Sequence, residues 1–220
     1  MVRPRVKICC IASIEEARLA VARGADALGF VSEMATGPGV IPEEVIAAIA
    51  PHVPPPVARV LLTSALDIDV IADQTRRCRA DVLQIVDHVG PAVLRALRTA
   101  LPQTRIMPVV HVTGPEAVDL ARQFAVEADA LLLDSGNPNL PLKELGGTGR
   151  VHDWTVSRTI VDAVRVPVFL AGGLRADNVA QALRAVRPFG LDVCSGVRTD
   201  GRLDPAKLEA FMAAATFTLA

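Results

Sequence analysis

VARVLLTSALDIDVIADQTRRCRADVLQIV, residues 57–86, contains one whole structural unit. Its first seven residues and its last six are short apolar runs rich in branched side chains, the composition of a strand buried on both faces. The amphipathic stretch at 66–78 between them predicts a helix. Two strands joined by a helix pair in parallel, because a crossover of that length brings the chain back to start the second strand at the same end as the first.

Working outward, the same unit recurs along the chain with no linker or low-complexity segment. Strands are predicted at 6–11 (VKICCI), 27–31 (ALGFV), 57–63 (VARVLLT), 81–86 (DVLQIV), 105–112 (RIMPVVHV), 130–135 (ALLLDS), 166–171 (VPVFLA) and 190–195 (GLDVCS). Helices are predicted near 13–23, 42–50, 66–78, 91–100, 115–127, 153–164, 176–186 and 204–215, with start signals at Ser13 and at Asp204-Pro205. Eight alternations predict an α/β fold, a (β/α)8 TIM barrel forming a single domain over residues 1–220. An open doubly wound sheet is the alternative.

Composition narrows the function. Half of the 220 residues are apolar and the net charge is -1, with acids and bases interspersed. That leaves no long-range field to hold nucleic acid or a membrane surface, and a small polar substrate fits better. No apolar run approaches the roughly 20 residues of a membrane helix, and MVRPRVKICC has no signal-peptide core, so a cytoplasmic protein is expected. The four cysteines, Cys9, Cys10, Cys78 and Cys194, have no paired CxxC spacing. Neither a zinc site nor a disulfide framework is expected. With no Tyr and only Trp154, aromatic stacking surface is scarce.

In a barrel, binding and chemistry lie on the loops after the strands, and two of these are irregular here: 32–41 and 136–152. Lysine occurs only at 7, 143 and 207. Alternation puts Lys7 and Cys9 on one face of the first strand, with Ile8 and Cys10 on the other, packed under the helices. If the first face is inward, a cation and a thiol rise together toward the mouth. Cys9 is then either a small apolar filler or a thiolate favoured by the ammonium and able to act as a base. Asp134, ending ADALLLDS, is either a loop-anchoring carboxylate or a general acid raised by burial. Asp192 shares a face with Cys194 on the last strand.

Three glycine elements, GGTG at 146–149, AGGL at 171–174 and CSGV at 194–197, occur in the second half. Two follow the seventh and eighth strands, where barrels commonly hold a phosphate on backbone N–H groups. His52, His88, His111 and His152 share no spacing and are expected to be structural, with His152 the foremost exception.

These segments together resemble the phosphoribosylanthranilate isomerase family. KICCIAS at 7–13 is similar to that family's KICG(I/L)T start, and GADALGFV at 24–31 to its second strand. The likeness continues through LLLDS (131–135), GGTGRVHDW (146–154), LAGGLRADNV (170–179) and GLDVCSGV (190–197). The resemblance implies an Amadori rearrangement of an N-phosphoribosyl amine in tryptophan biosynthesis, without cofactor or metal, by a monomer or homodimer. It implies Cys9 as the base at the sugar C2 and Asp134 as the acid at the ring oxygen. It also implies Gly147, Gly149, Gly172, Gly173 and Gly196 as phosphate and substrate loops. Lys7, Asp192, Ser195 and Arg198 complete the expected binding set.

The chain departs from the family at four places. The loop after the second strand, S-x-R-Y-V-S-P-E in the family, reads TGPGVIPE, so Pro38 stands where an arginine would hold the anthranilate carboxylate. Cys10 replaces a glycine, LQIVD at 83–87 replaces LQLHG, and Arg198 follows SGV where the family has an acid. Arg198 is the nearest cation that could replace the missing one. Two other readings stay open: a paralogue acting on a ribosyl phosphate without the carboxylated aromatic, and a non-catalytic phosphate-ligand binding protein.

Overall fold

The computed structural model describes residues 3–34, 37–137, 140, 143–146 and 149–217. Eight parallel strands close on themselves in sequence order: β1 (Arg5–Ile8), β2 (Ala27–Val31), β3 (Ala58–Thr63), β4 (Val82–Ile85), β5 (Arg105–His111), β6 (Leu131–Asp134), β7 (Val168–Leu170) and β8 (Gly190–Val193). The ring closes where β1 pairs β8, Lys7 opposite Asp192. The open-sheet alternative is therefore excluded. Eight helices follow: α1 (Ile14–Ala22), α2 (Glu43–Ile49), α3 (Ile68–Arg77), α4 (Pro91–Ala100), α5 (Ala117–Ala125), α6 (Trp154–Ala163), α7 (Val179–Val186) and α8 (Pro205–Phe217). No described helix is long and apolar enough to cross a membrane.

Local chemistry accounts for the helix starts. The Ser13 side chain accepts from the Glu16 N–H, Asp67 from Asp69 and Val70, and Asp153 from Thr155, so each satisfies donors that a first turn leaves orphaned.

The period-2 pattern of the strands sorts the core into two layers. Val6, Ile8, Leu28, Phe30, Leu131 and Leu133 face outward and pack under the helices. Cys9, Val31, Val60, Leu62, Met107 and Leu132 face inward and fill the barrel. An inward side chain near the C-terminal end of a strand therefore reaches the mouth. An antiparallel pair not expected from the sequence, β9 (Arg198–Thr199) with β10 (Arg202–Leu203), follows β8.

Candidate active site

A cavity opens at the C-terminal ends of the strands. Cys9, Cys10, Gln84, Asp134, Asp192 and Cys194 are among the side chains lining it, with the backbone of Gly149, Gly172, Gly173 and Ser195 on its rim. The two residues expected to carry chemistry thus share one cavity, approached from β1 and from β6.

Cys9 is buried, and its Sγ accepts from Lys7 Nζ at 3.4 Å, while the same ammonium donates to Asp192 Oδ1 at 2.8 Å. A hydrogen bond from the Cys10 thiol, and the Lys7 charge, hold Cys9 below the ordinary thiol range against the opposing pull of burial. Burial pulls the Lys7 ammonium downward, but Asp192 and Cys9 outweigh it and keep the group charged. Gly29 on β2 makes this cluster possible: a Cβ there would sit 2.9 Å from Cys9 Sγ and 3.0 Å from Lys7 Nζ. The sequence reading passed over this glycine, although a small residue inside GADALGFV was the signal.

Asp134 ends β6 opposite His111 of β5. Burial raises its carboxyl, opposed by the Ser135 N–H, which donates to Oδ1 at 2.7 Å, and by His111. His111 Nε2 lies 2.9 Å from the Val86 carbonyl, which can only accept, so that nitrogen carries the proton. A raised carboxyl and a lowered thiol are the protonation states of an acid facing a base.

The glycine loops after β7 and β8 meet at the rim. Among the described residues no backbone acceptor pairs with the N–H groups of Gly172, Gly173 or Ser195, so they remain available to a ligand. Gly196 lies behind the rim, where a Cβ would stand 1.9 Å from the Leu174 carbonyl oxygen. It allows the two loops to pack together and does not itself line the cavity. Gly147 lies outside the described residues.

Three expectations need correction. Lys7 is wholly buried on Asp192 and Cys9, so its ammonium reaches these two side chains and not the open cavity. Cys10 does not pack under the helices: β1 ends at Ile8, and Cys10 adopts φ 65°, which swings its side chain into the mouth. Arg198 does not replace the missing cation. Its guanidinium points to Glu16 at 3.0 Å, the Gly201 carbonyl at 2.9 Å and the carbonyls of Cys9 and Cys10, away from the cavity. His152, the exceptional histidine, is held neutral by burial, which lowers it to about 4, and bonds Ser157 Oγ at 2.7 Å behind Gly172. Gln84 was not singled out, yet it lines the cavity with a buried Oε1 that has no partner among the described residues.

Residues 6–214 match the family model of N-(5'-phosphoribosyl)anthranilate isomerase. The chain belongs to the phosphoribosylanthranilate isomerase family. It is 36% identical over 204 residues to the enzyme of that name from Methanocella arvoryzae, covering 93% of each chain. Among solved structures it is similar to phosphoribosylanthranilate isomerase from Thermus thermophilus, with a TM-score of 0.80, 31% identity, and 96% and 97% of the two chains covered. A further isomerase, crystallised with reduced 1-(o-carboxyphenylamino)-1-deoxyribulose 5-phosphate, superposes with a TM-score of 0.80 at 27% identity over 96% and 98% of the chains.

Against the isomerase pattern, Pro38 does face the cavity, but it presents a backbone carbonyl 3.5 Å from Cys10 Sγ in place of a cation. Arg198 is part of the frame. With Glu16, which also accepts from the Ala12 and Leu203 N–H groups, it ties the turn after β1 to the β9–β10 pair. Both side chains are largely buried, at 7% and 14% exposure. Glu16→Ala is expected to cost about 3 kcal/mol, the low end for breaking a buried pair and leaving one charge unpaired. Urea denaturation measures it, and an unchanged midpoint would remove Arg198 and Glu16 from the frame.

Proposed function

We propose that Cys9 and Asp134 are the base and the acid of the family reaction, the isomerisation of N-(5'-phosphoribosyl)anthranilate in tryptophan biosynthesis. The observation that carries this is the pair itself: a thiol favoured as thiolate and a carboxyl favoured as acid, lining one cavity from β1 and β6.

In this reading Asp134 gives its proton to the furanose ring oxygen as the bond from that oxygen to C1 breaks. The aglycone nitrogen supplies the electron pair, leaving an iminium at C1. The Cys9 thiolate then removes the C2 proton, and the C2–H electrons form the enolamine, which tautomerises to the ketose. Lys7 is a positioning residue: its charge keeps the thiolate populated, and Asp192 holds the ammonium in place. Ring opening and proton abstraction occur at neighbouring atoms, so an acid and a base fixed on two rigid strands serve both without moving.

The phosphate belongs on the rim after β7 and β8, where Gly172, Gly173 and Ser195 present backbone N–H groups. A crystal grown in sulfate or phosphate is expected to hold an anion against these three. An anion bound elsewhere at the mouth, with this rim closed by side chains, would remove the site. The reaction itself is tested by complementation of a tryptophan auxotroph lacking the isomerase, followed by steady-state kinetics. Growth is expected, and absence of both growth and turnover by a folded protein would refute the assignment.

A further inference from the structure

The reaction leaves two cysteines of the mouth without a role. Cys10 Sγ and Cys194 Sγ lie 2.6 Å apart, against ~2.05 Å for a disulfide bond, although 184 residues separate them in the chain. We propose that Cys10 and Cys194 are a redox-labile dithiol, oxidised to a disulfide by exchange with low-molecular-weight disulfides, and that this bond weakens Cys9 as a base. The second half rests on Cys9 being the base; the first does not.

The frame already holds the two sulfurs together. β1 and β8 are paired neighbours, and the Cys9 N–H donates to the Val193 carbonyl at 2.9 Å, so the residues that follow leave the barrel side by side. Cys10 then takes a left-handed conformation, uncommon for a residue with a Cβ, which aims its sulfur across the mouth at Cys194. Cys194 is the more open of the two and lines the cavity, so a small disulfide entering the mouth meets it first. Cys78, at the end of α3, is buried among apolar neighbours and lies outside the cavity. Among the described residues no group of three or more His, Cys, Asp or Glu side chains is arranged to hold a metal ion.

The exchange balances. Cys194, as thiolate, attacks one sulfur of RSSR, forming Cys194–S–SR and releasing RS⁻. Cys10 gives up its proton and attacks Cys194 Sγ, which expels the second RS⁻. The two thiol protons end on the two leaving groups, so dithiol plus RSSR becomes disulfide plus two RSH. The protein is oxidised by two electrons and the small disulfide is reduced by two. The Cys10 S–H, which beside Cys9 on the same cavity favours its thiolate, is thereby consumed.

The test incubates the full-length protein with oxidised glutathione, alkylates the remaining thiols without reductant and determines the masses of intact protein and peptides. The expected product carries two alkyl groups, on Cys9 and Cys78, where the unoxidised protein carries four, and its Cys10 and Cys194 peptides are linked with the loss of two hydrogen atoms. Turnover is expected to fall about tenfold as fewer molecules carry the Cys9 thiolate, and to return with dithiothreitol. Cys194→Ser is expected to abolish both the crosslink and the oxidant sensitivity. A stable glutathione adduct without the crosslink overturns the proposal. A crosslink with unchanged turnover overturns its coupling to Cys9. If Cys9→Ala retains full turnover, the assignment of the base fails while the mass result still decides the dithiol.

Discussion

Cys9→Ala is expected to lower kcat by about 10²–10⁴-fold, the range over which a positioned general base contributes, with the fold intact. Alanine keeps the Cβ and leaves only the space of the Sγ empty, so the volume lost is small. What disappears is the thiol of the β1 end held below the ordinary range: Cys10 is pushed well above that range by Cys194, by Cys9 and by burial. Removing the sulfur also deprives Lys7 of one partner while Asp192 still holds the ammonium at 2.8 Å, so the buried cation stays paired. Steady-state kinetics alongside thermal denaturation separates the two readings. A tenfold loss or less in a protein of unchanged stability would mean that Cys9 is a filler.

Asp134→Asn is expected to cost a similar 10²–10⁴-fold in kcat. The amide is nearly isosteric and keeps an oxygen to accept from the Ser135 N–H, so the end of β6 has no reason to move. It has no acidic proton to give the ring oxygen. Because acid and base act on one reaction path, the double variant is expected to lose less than the product of the two single losses. Strict multiplicativity would indicate two independent functions.

The barrel was legible because strands buried on both faces are written as apolar runs and each is followed by an amphipathic stretch. Every predicted strand overlaps an observed one, and the ends differ most where a strand frays into its loop. That Lys7 and Cys9 share a face was legible because the period of two survives to Ile8, whereas which face turns inward was settled by the closed barrel. Cys10 was not, since alternation was extended two residues past the end of β1 and cysteine carries no turn signal comparable to glycine or proline. Arg198 was misread for a related reason: its direction is set by β9 and β10, two residues each, too short to leave a pattern. The placement of Arg198 on Glu16 depends on residues 182 positions apart, which no local reading of the chain contains. The roles of Cys9 and Asp134, unlike their positions, came from the resemblance and were not visible in periodicity.

The central claim is that turnover requires Cys9 as thiolate and Asp134 as acid in the same molecule. Raising the carboxyl and lowering the thiol both increase the fraction of enzyme in that state. The most direct test is the pH dependence of kcat/KM on phosphoribosylanthranilate, wild type beside Asp134→Asn. The wild type is expected to give a bell, rising on the acid side and falling on the alkaline side as the state with both groups deprotonated takes over. The variant, far slower, has no acid left to lose, so its profile is expected to rise as the thiolate forms and then stay level. An Asp134→Asn profile that keeps the wild-type alkaline fall would contradict the assignment of Asp134 as the acid.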